Sequence, residues 1–132
     1  NVECSIAFTQ SRGHATELAA AAVGENFKQG IAVGGDGTVN EVAQGLLHTP
    51  VHMGILPRGS GNGLSRHLGI PVDLSGALHS LFHSYPLAMD TLQVNGKLSL
   101  NVSGIGFDGH VANLFGQNKK RGLAGYVKLT LK

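Results

Sequence analysis

Residues 31–42 read Ile31-Ala32-Val33-Gly34-Gly35-Asp36-Gly37-Thr38-Val39-Asn40-Glu41-Val42, and this stretch decides the fold class. Ile31-Ala32-Val33 is a short apolar run of the kind that forms a buried strand. Val39, Val42, Ala43, Leu46 and Leu47 then fall at helical spacing until His48-Thr49-Pro50 interrupts them. A strand that passes through glycines into a helix leaves backbone N–H groups unpaired at the positive end of the helix dipole, a place that favours phosphate. The glycine spacing is neither Gly-x-Gly-x-x-Gly nor the P-loop with its Lys-Ser/Thr, so the common dinucleotide and Walker readings both fail.

Outward from this stretch the same alternation continues. Residues 2–8 alternate loosely between apolar and polar and read as a strand feeding the loop Thr9-Gln10-Ser11. Residues 14–23 are alanine-rich and predict a helix, stopped by Gly24 or Gly30. Residues 53–56 make a third short strand ended by Pro57, and the glycine-dense turn 58–64 leads to a short helix at 65–68. Asp73 is placed to cap a helix running through Leu74, Leu78 and Leu81 to about His83. Strands alternating with helices, without tight hairpins, predict an α/β fold with a parallel sheet and crossover helices. The pattern changes near Tyr85-Pro86: residues 87–94 and 97–105 are extended and flank Asn95-Gly96, a strong hairpin signal. This sets an α/β domain at 1–85 and the start of an antiparallel, β-rich domain at 86–132.

The 132 residues suffice for one ordinary core. The chain's 20 glycines exceed the usual share of about 7%. They lack the three-residue period of collagen and cluster where a backbone must turn sharply or approach a ligand. A net charge of +2, with no helix-length basic stripe, argues against nucleic acid as a partner. Lys119-Lys120-Arg121 reads as a solvated loop, or as a contact for phosphate or an acidic membrane surface. Cys4 stands alone, so neither a disulfide framework nor a cysteine zinc site can form, which agrees with a reducing cytoplasm. No apolar run approaches the roughly 20 residues that span a bilayer, and Asn1 opens on strand-like sequence rather than a signal peptide. The expectation is a soluble, cytoplasmic chain.

Asp36 is the anomaly of the first turn, because a carboxylate beside phosphate is repelled unless it holds a cation or handles a proton. The alternative is an Asx turn that fixes the loop. Thr38 and Glu41 have the Thr-x-x-Glu spacing of a capping box, so satisfaction of the helix's own N–H groups is their preferred reading. Asn40 can donate to a phosphate or a ribose, or face solvent. Arg58-Gly59-Ser60-Gly61-Asn62-Gly63 repeats the device after the next strand. Two such loops at the same ends of a parallel sheet flank one crevice, where open α/β sheets bind ligands. Ser60 offers a hydroxyl there and the glycines offer amides, while Arg58 is free to face solvent. His79 and His83 share the i, i+4 spacing of metal ligands, but no third ligand is nearby and the zincin glutamate is absent. The pair reads as solvated, and no metal ligands are assigned. Asp108, in Gly104-Ile105-Gly106-Phe107-Asp108-Gly109, is either a plain turn residue or part of a site.

The stretch from Gly34 to Val42 resembles the Gly-Gly-Asp-Gly-Thr-x-Asn-Glu motif of the diacylglycerol kinase catalytic domain family. Gly54-Ile55-Leu56-Pro57-Arg58-Gly59-Ser60-Gly61-Asn62 resembles that family's second nucleotide loop, in a Gly-Ser-Gly-Asn form similar to sphingosine and ceramide kinases. Gly63 stands where many members carry Asp. Thr9 with His14-Ala15 and Leu18-Ala19 resembles the segment after the family's second strand, and residues 101–111 resemble the start of its second domain.

The resemblance implies a three-layer nucleotide-binding domain of the NAD kinase and diacylglycerol kinase type. It implies transfer of the γ-phosphoryl group of ATP, with Mg²⁺, to the hydroxyl of a membrane lipid such as diacylglycerol or a sphingoid base, by an enzyme in peripheral contact with the membrane. Residue by residue it implies ATP contacts from Thr9, Gly34, Gly35, Asp36, Gly37, Thr38, Asn40, Glu41, Gly59, Ser60, Gly61 and Asn62. It gives Asp36 a part in phosphoryl transfer and places Asp108 near the domain cleft, facing the lipid. NAD kinases and phosphofructokinases share a Gly-Gly-Asp-Gly core, so an NAD kinase-like enzyme is one competing reading and a non-catalytic nucleotide-binding module another. Gly59-Ser60-Gly61-Asn62 and Asn40-Glu41 favour the lipid kinases. The family's opening strand with its Asn-Pro-x-x-Gly-type loop does not precede Asn1, and its β-rich domain, where many bacterial members place metal carboxylates and a glutamate base, would follow Lys132. The chain alone is expected to bind nucleotide weakly and to turn over little.

Overall fold

A computed structural model describes residues 3–104 together with Gly106 and Gly109. Asp108 and the Lys119-Lys120-Arg121 run lie outside the described residues. The chain divides into two compact units, Asn1–Met89 and Asp90–Lys132.

In the first unit the alanine-rich run forms α1, His14–Gly24. Of the two stops expected, Gly24 and Gly30, the helix ends at Gly24. Asn26 takes a left-handed φ of 62°, and the N–H groups of Asn26 and Phe27 donate to the carbonyls of Val23 and Ala22, both at 3.2 Å. A short polar side chain tolerates that backbone and lets it close the helix's orphan carbonyls. The chain then forms β1 (Gln29–Gly34), α2 (Asp36–Leu46), β2 (His52–Pro57), α3 (Gly63–His67) and α4 (Leu74–His83). Asp73 caps α4 as expected, accepting the Gly76 N–H at 2.8 Å.

β1 and β2 pair in parallel, from Gln29 opposite His52 to Gly34 opposite Pro57. The layers follow from strand alternation. A Cβ on Gly30 would meet Leu46 of α2 at 3.0 Å, so the Gly30 and Ala32 face looks at α2. A Cβ on Gly54 would run into Leu81 of α4 and lie 3.4 Å from Ile31, so the opposite face looks at α4. Helices therefore cover both sides of the sheet. Ala32, Ile55, Val39, Val42, Ala43 and Leu46 are buried on the α2 side. α4 packs over β2 rather than β1, which leaves Ile31 at 38% and Val33 at 59% exposure. The expectation that residues 31–33 are wholly buried thus holds only for Ala32.

Residues 3–10 are not a strand. They are exposed throughout, including Ile6 and Phe8, and the described parallel sheet contains only β1 and β2. Alternating residues become a strand only when a neighbouring strand takes up their backbone N–H and C=O groups, and this segment has no such neighbour among the described residues.

α1 and α2 pack through small residues. The Thr16 hydroxyl donates to the Glu41 carbonyl at 2.9 Å, and a Cβ on Gly45 would strike the Thr16 carbonyl and lie 2.7 Å from the Ala19 methyl and 3.0 Å from the Ala20 nitrogen. Two of these three contacts are backbone, so the neighbours cannot swing away. Gly45→Ala is therefore expected to destabilise the protein by about 2 kcal/mol, despite alanine's better helix propensity. Thermal unfolding checks it: a Tm at or above that of the wild type would show that the helices part without cost.

The second unit contains a short antiparallel hairpin, β3 (Leu92–Val94) with β4 (Lys97–Ser99). Asn95 and Gly96 occupy its turn with φ of 49° and 75°, the two positive values that a type I′ turn needs. The paired arms are shorter than the extended segments 87–94 and 97–105 expected from the sequence.

Candidate active site

Both glycine turns stand at the carboxyl ends of the parallel strands, and the pairing carries into them: the Arg58 N–H donates to the Gly34 carbonyl at 2.8 Å. Beyond that bond the turns touch backbone to backbone. A Cβ on Gly59 would lie 2.5 Å from Gly35 Cα, and one on Gly35 would lie 3.1 Å from Gly59 Cα. At position 59 only glycine allows this approach, while at position 35 a methyl would fit only if Gly59 gave way by a few tenths of an ångström. The structure thus brings the two sequence-predicted loops into one site.

α2 begins at Asp36, with Gly35 as its extended N-cap (φ −94°, ψ −172°) and no side chain bonded to the helix end. The capping-box reading of Thr38 and Glu41 is therefore wrong. A capping Thr sits at the N-cap with its Glu three residues later, whereas Thr38 is already the third helical residue and Glu41 the sixth. The Thr38 side chain instead folds over Gly34, where a Cβ would meet its hydroxyl oxygen at 2.6 Å. The first intrahelical bond is from the Val39 N–H to the Gly35 carbonyl at 3.1 Å. The N–H groups of Asp36, Gly37 and Thr38 have no intrahelical acceptor and lie at the positive end of the helix dipole.

Asp36 is exposed, as are Gly37, Ser60 and Gly61. Its carboxylate does not close an Asx turn in its own loop. Oδ1 accepts the Leu64 N–H at 3.4 Å, 28 residues along the chain, and Oδ2 lies 2.9 Å from where a Gly61 Cβ would stand. α3 is capped by Asp36 and not by Asn62, whose side chain makes no cap bond to the helix although Asn62 holds the N-cap position at φ 52°, ψ 44°. The Asn62 carboxamide turns back on its own loop. Its Oδ1 accepts the Gly59 N–H and its Nδ2 donates to the Gly59 carbonyl, each at 2.8 Å, and the residue is 7% exposed.

Asn40 and Glu41 are half-buried on α2. Thr9 lies in the exposed segment before α1, and no hydrogen bond ties it to either glycine turn among the described residues. His79 and His83 are exposed on α4 and stack with ring centroids 4.1 Å apart, and the His83 Nδ1 hydrogen-bonds the His79 carbonyl at 2.8 Å. Among the described residues no group of three His, Cys, Asp or Glu side chains is gathered to hold a metal. Two features were missed by the sequence reading: the Asp36–Leu64 bond and the Asn62–Gly59 double bond. The first leaves no local trace. The second had one, since Asn next to glycine is a residue that adopts the left-handed conformation.

A parallel α/β sheet whose adjacent strand ends carry touching glycine turns, one of them opening a helix without a side-chain cap, has the geometry with which α/β domains hold phosphate. Comparison with known proteins narrows the class. The chain belongs to the diacylglycerol kinase catalytic domain family, whose profile matches residues 1–94. It is 34% identical over 129 residues to a Pseudomonas syringae pv. syringae protein named "Probable lipid kinase YegS-like", covering 96% of this chain and 42% of that protein. It is 36% identical over 103 residues to a protein from Staphylococcus aureus named diacylglycerol kinase, covering 76% and 33%. A crystal structure of a diacylglycerol kinase from Bacillus anthracis str. Sterne superposes with a TM-score of 0.62 at 30% identity, covering 68% of this chain and 34% of that one. The chain spans less than half the length of these relatives.

Proposed function

We propose that this chain forms the nucleotide-binding part of an ATP-dependent lipid kinase, with residues 1–85 as the ATP domain and residues 86–132 opening the domain that meets the lipid. The observation that carries the reading is the meeting of Gly35 and Gly59, which puts two amide-rich turns and one carboxylate at a single place. The donor set fits a polyphosphate. The Asp36, Gly37 and Thr38 amides and the Ser60 and Gly61 groups offer fixed N–H and O–H dipoles, and nothing lies within 4 Å of a Cβ on Gly37, so a ligand has room there. Phosphoryl transfer depends mainly on such positioning and charge stabilisation.

Asp36 is the negative group in this cradle. Mg²⁺ is commonly held by one or two carboxylates together with substrate phosphates and water rather than by an all-protein cage, so a single exposed carboxylate suits it, and a bound Mg²⁺ would neutralise the phosphate charge. Asp36 orients that charge while its Oδ1 stays on the Leu64 N–H. In the transfer the acceptor hydroxyl oxygen bonds to the γ-phosphorus as the bond to the β,γ-bridging oxygen breaks, ADP leaves with that bond's electron pair, and the hydroxyl proton is released to water. Thr9, Asn40, Glu41 and Asp108 complete the proposed ligand contacts, Asp108 on the lipid side. Among the described residues no helix is long and apolar enough to cross a membrane, which is compatible with a kinase that meets its lipid peripherally.

The test uses the full-length kinase with radiolabelled ATP, Mg²⁺ and a mixed lipid extract. Label entering the organic phase is the expected result, and the labelled species names the acceptor. Label confined to water-soluble products such as NADP would replace the lipid by a soluble acceptor. ATP binding without transfer to either phase would leave a nucleotide-binding module only.

A further inference from the structure

The Asn62 side chain spends both of its polar atoms on one residue of its own loop. Gly59 N–H donates to Oδ1 and Nδ2 donates to the Gly59 carbonyl, both at 2.8 Å, so the carboxamide pairs with Gly59 much as a neighbouring strand would. The residue is 7% exposed and its left-handed backbone, φ 52° and ψ 44°, reverses the chain between Gly61 and Gly63. Ser60 and Gly61 are thereby turned outward and exposed, while the next amide but one, that of Leu64, points back to Asp36.

We infer that Asn62 is a positioning residue: it presets the second glycine turn for phosphate and makes no contact with the nucleotide itself. The inference rests on the nucleotide reading given above and deepens it. A Gly-Ser-Gly segment has high backbone entropy, which ordering must overcome. If binding had to order any part of the loop, affinity would fall by the cost of that ordering. The Asn62 clamp orders it beforehand. Because the Gly59 N–H is occupied by Oδ1, the donors this turn leaves for phosphate are the Ser60 and Gly61 amides and the Ser60 hydroxyl.

Asn62→Gly tests this, since glycine keeps the left-handed backbone and removes both side-chain bonds. In the full-length kinase, assayed at a temperature where calorimetry shows the variant folded, KM for ATP is expected to rise roughly tenfold, about one factor of ten per 1.4 kcal/mol of ordering cost. kcat at saturating ATP and KM for the lipid should stay close to wild type, because bound nucleotide supplies the ordering. An unchanged KM for ATP in the folded variant would overturn the inference, and so would a fall in kcat alone. If the variant does not fold, hydrogen exchange on the wild type decides: the Gly59 amide should be protected without nucleotide and stay equally protected when ATP is added. Protection that appears only with ATP would mean that the ligand orders the loop. Wild-type kinase that binds no ATP at all would remove the nucleotide reading, an outcome distinct from wild-type binding with Asn62→Gly unchanged.

Discussion

Asp36→Asn is expected to lower kcat of the full-length kinase on the order of 10²- to 10⁴-fold while changing nucleotide affinity only a few-fold. The reasoning starts from what asparagine keeps. Its Oδ1 can still accept the Leu64 N–H, so the bond between the two loops survives and α3 stays capped. What disappears is a full negative charge at the N-terminus of α2, where the helix dipole favours it by about 0.3–1 kcal/mol. The fold should therefore tolerate the change with a small loss of Tm. Catalysis should not, because a negative charge sets the Asp36 side chain apart from the N–H and O–H donors that make up the rest of the cradle. Asp36→Ala separates the two roles further: it removes the Leu64 acceptor as well, and should add a loss of stability and of ATP affinity to the same fall in kcat. Steady-state kinetics with varied ATP and Mg²⁺, beside thermal unfolding, read all of these. A variant Asp36→Asn with undiminished turnover would reduce Asp36 to a cap for α3.

That double role of Asp36 marks where sequence reading stops. The turns themselves were legible, since glycines between a β-branched run and a helical period have few other uses, and Asn95-Gly96 announced its hairpin for the same local reason: both positions demand positive φ. The start of α2 was not, because Thr38 and Glu41 imitate a capping box while the true N-cap is Gly35, a residue that carries no side-chain signal. Residues 2–8 were misread for a different reason. Their alternation describes a propensity, but a strand exists only against a partner, and none of the described strands takes that place. The Leu64 amide that holds Asp36 lies 28 residues away, and only the parallel register of β1 with β2 brings it there.

Gly59→Ala is expected to be the most damaging single methyl in the site, and comparison with Gly37→Ala shows why. The added carbon at position 59 would stand 2.5 Å from Gly35 Cα, 3.3 Å from Gly35 N and 2.9 Å from Asn62 Oδ1. Two of these atoms belong to backbone held by the β1–β2 ladder and by the Arg58–Gly34 bond, so relief requires that the turns separate or that Asn62 release Gly59. Either movement costs about 1–3 kcal/mol and spoils the cradle, so Tm should fall and ATP affinity should drop at least roughly tenfold. At Gly37 a Cβ meets nothing within 4 Å, and alanine in the first turn of α2 gains up to about 1 kcal/mol of helix propensity. Gly37→Ala should therefore leave Tm unchanged or raised, yet still weaken ATP binding, because the open space above it is the space that phosphate would occupy. Calorimetry with an ATP titration distinguishes the pair. If Gly37→Ala bound ATP as well as the wild type, the phosphates would have to lie elsewhere than over the first turn of α2; if Gly59→Ala kept both its Tm and its affinity, the contact between the two turns would not be what shapes the site.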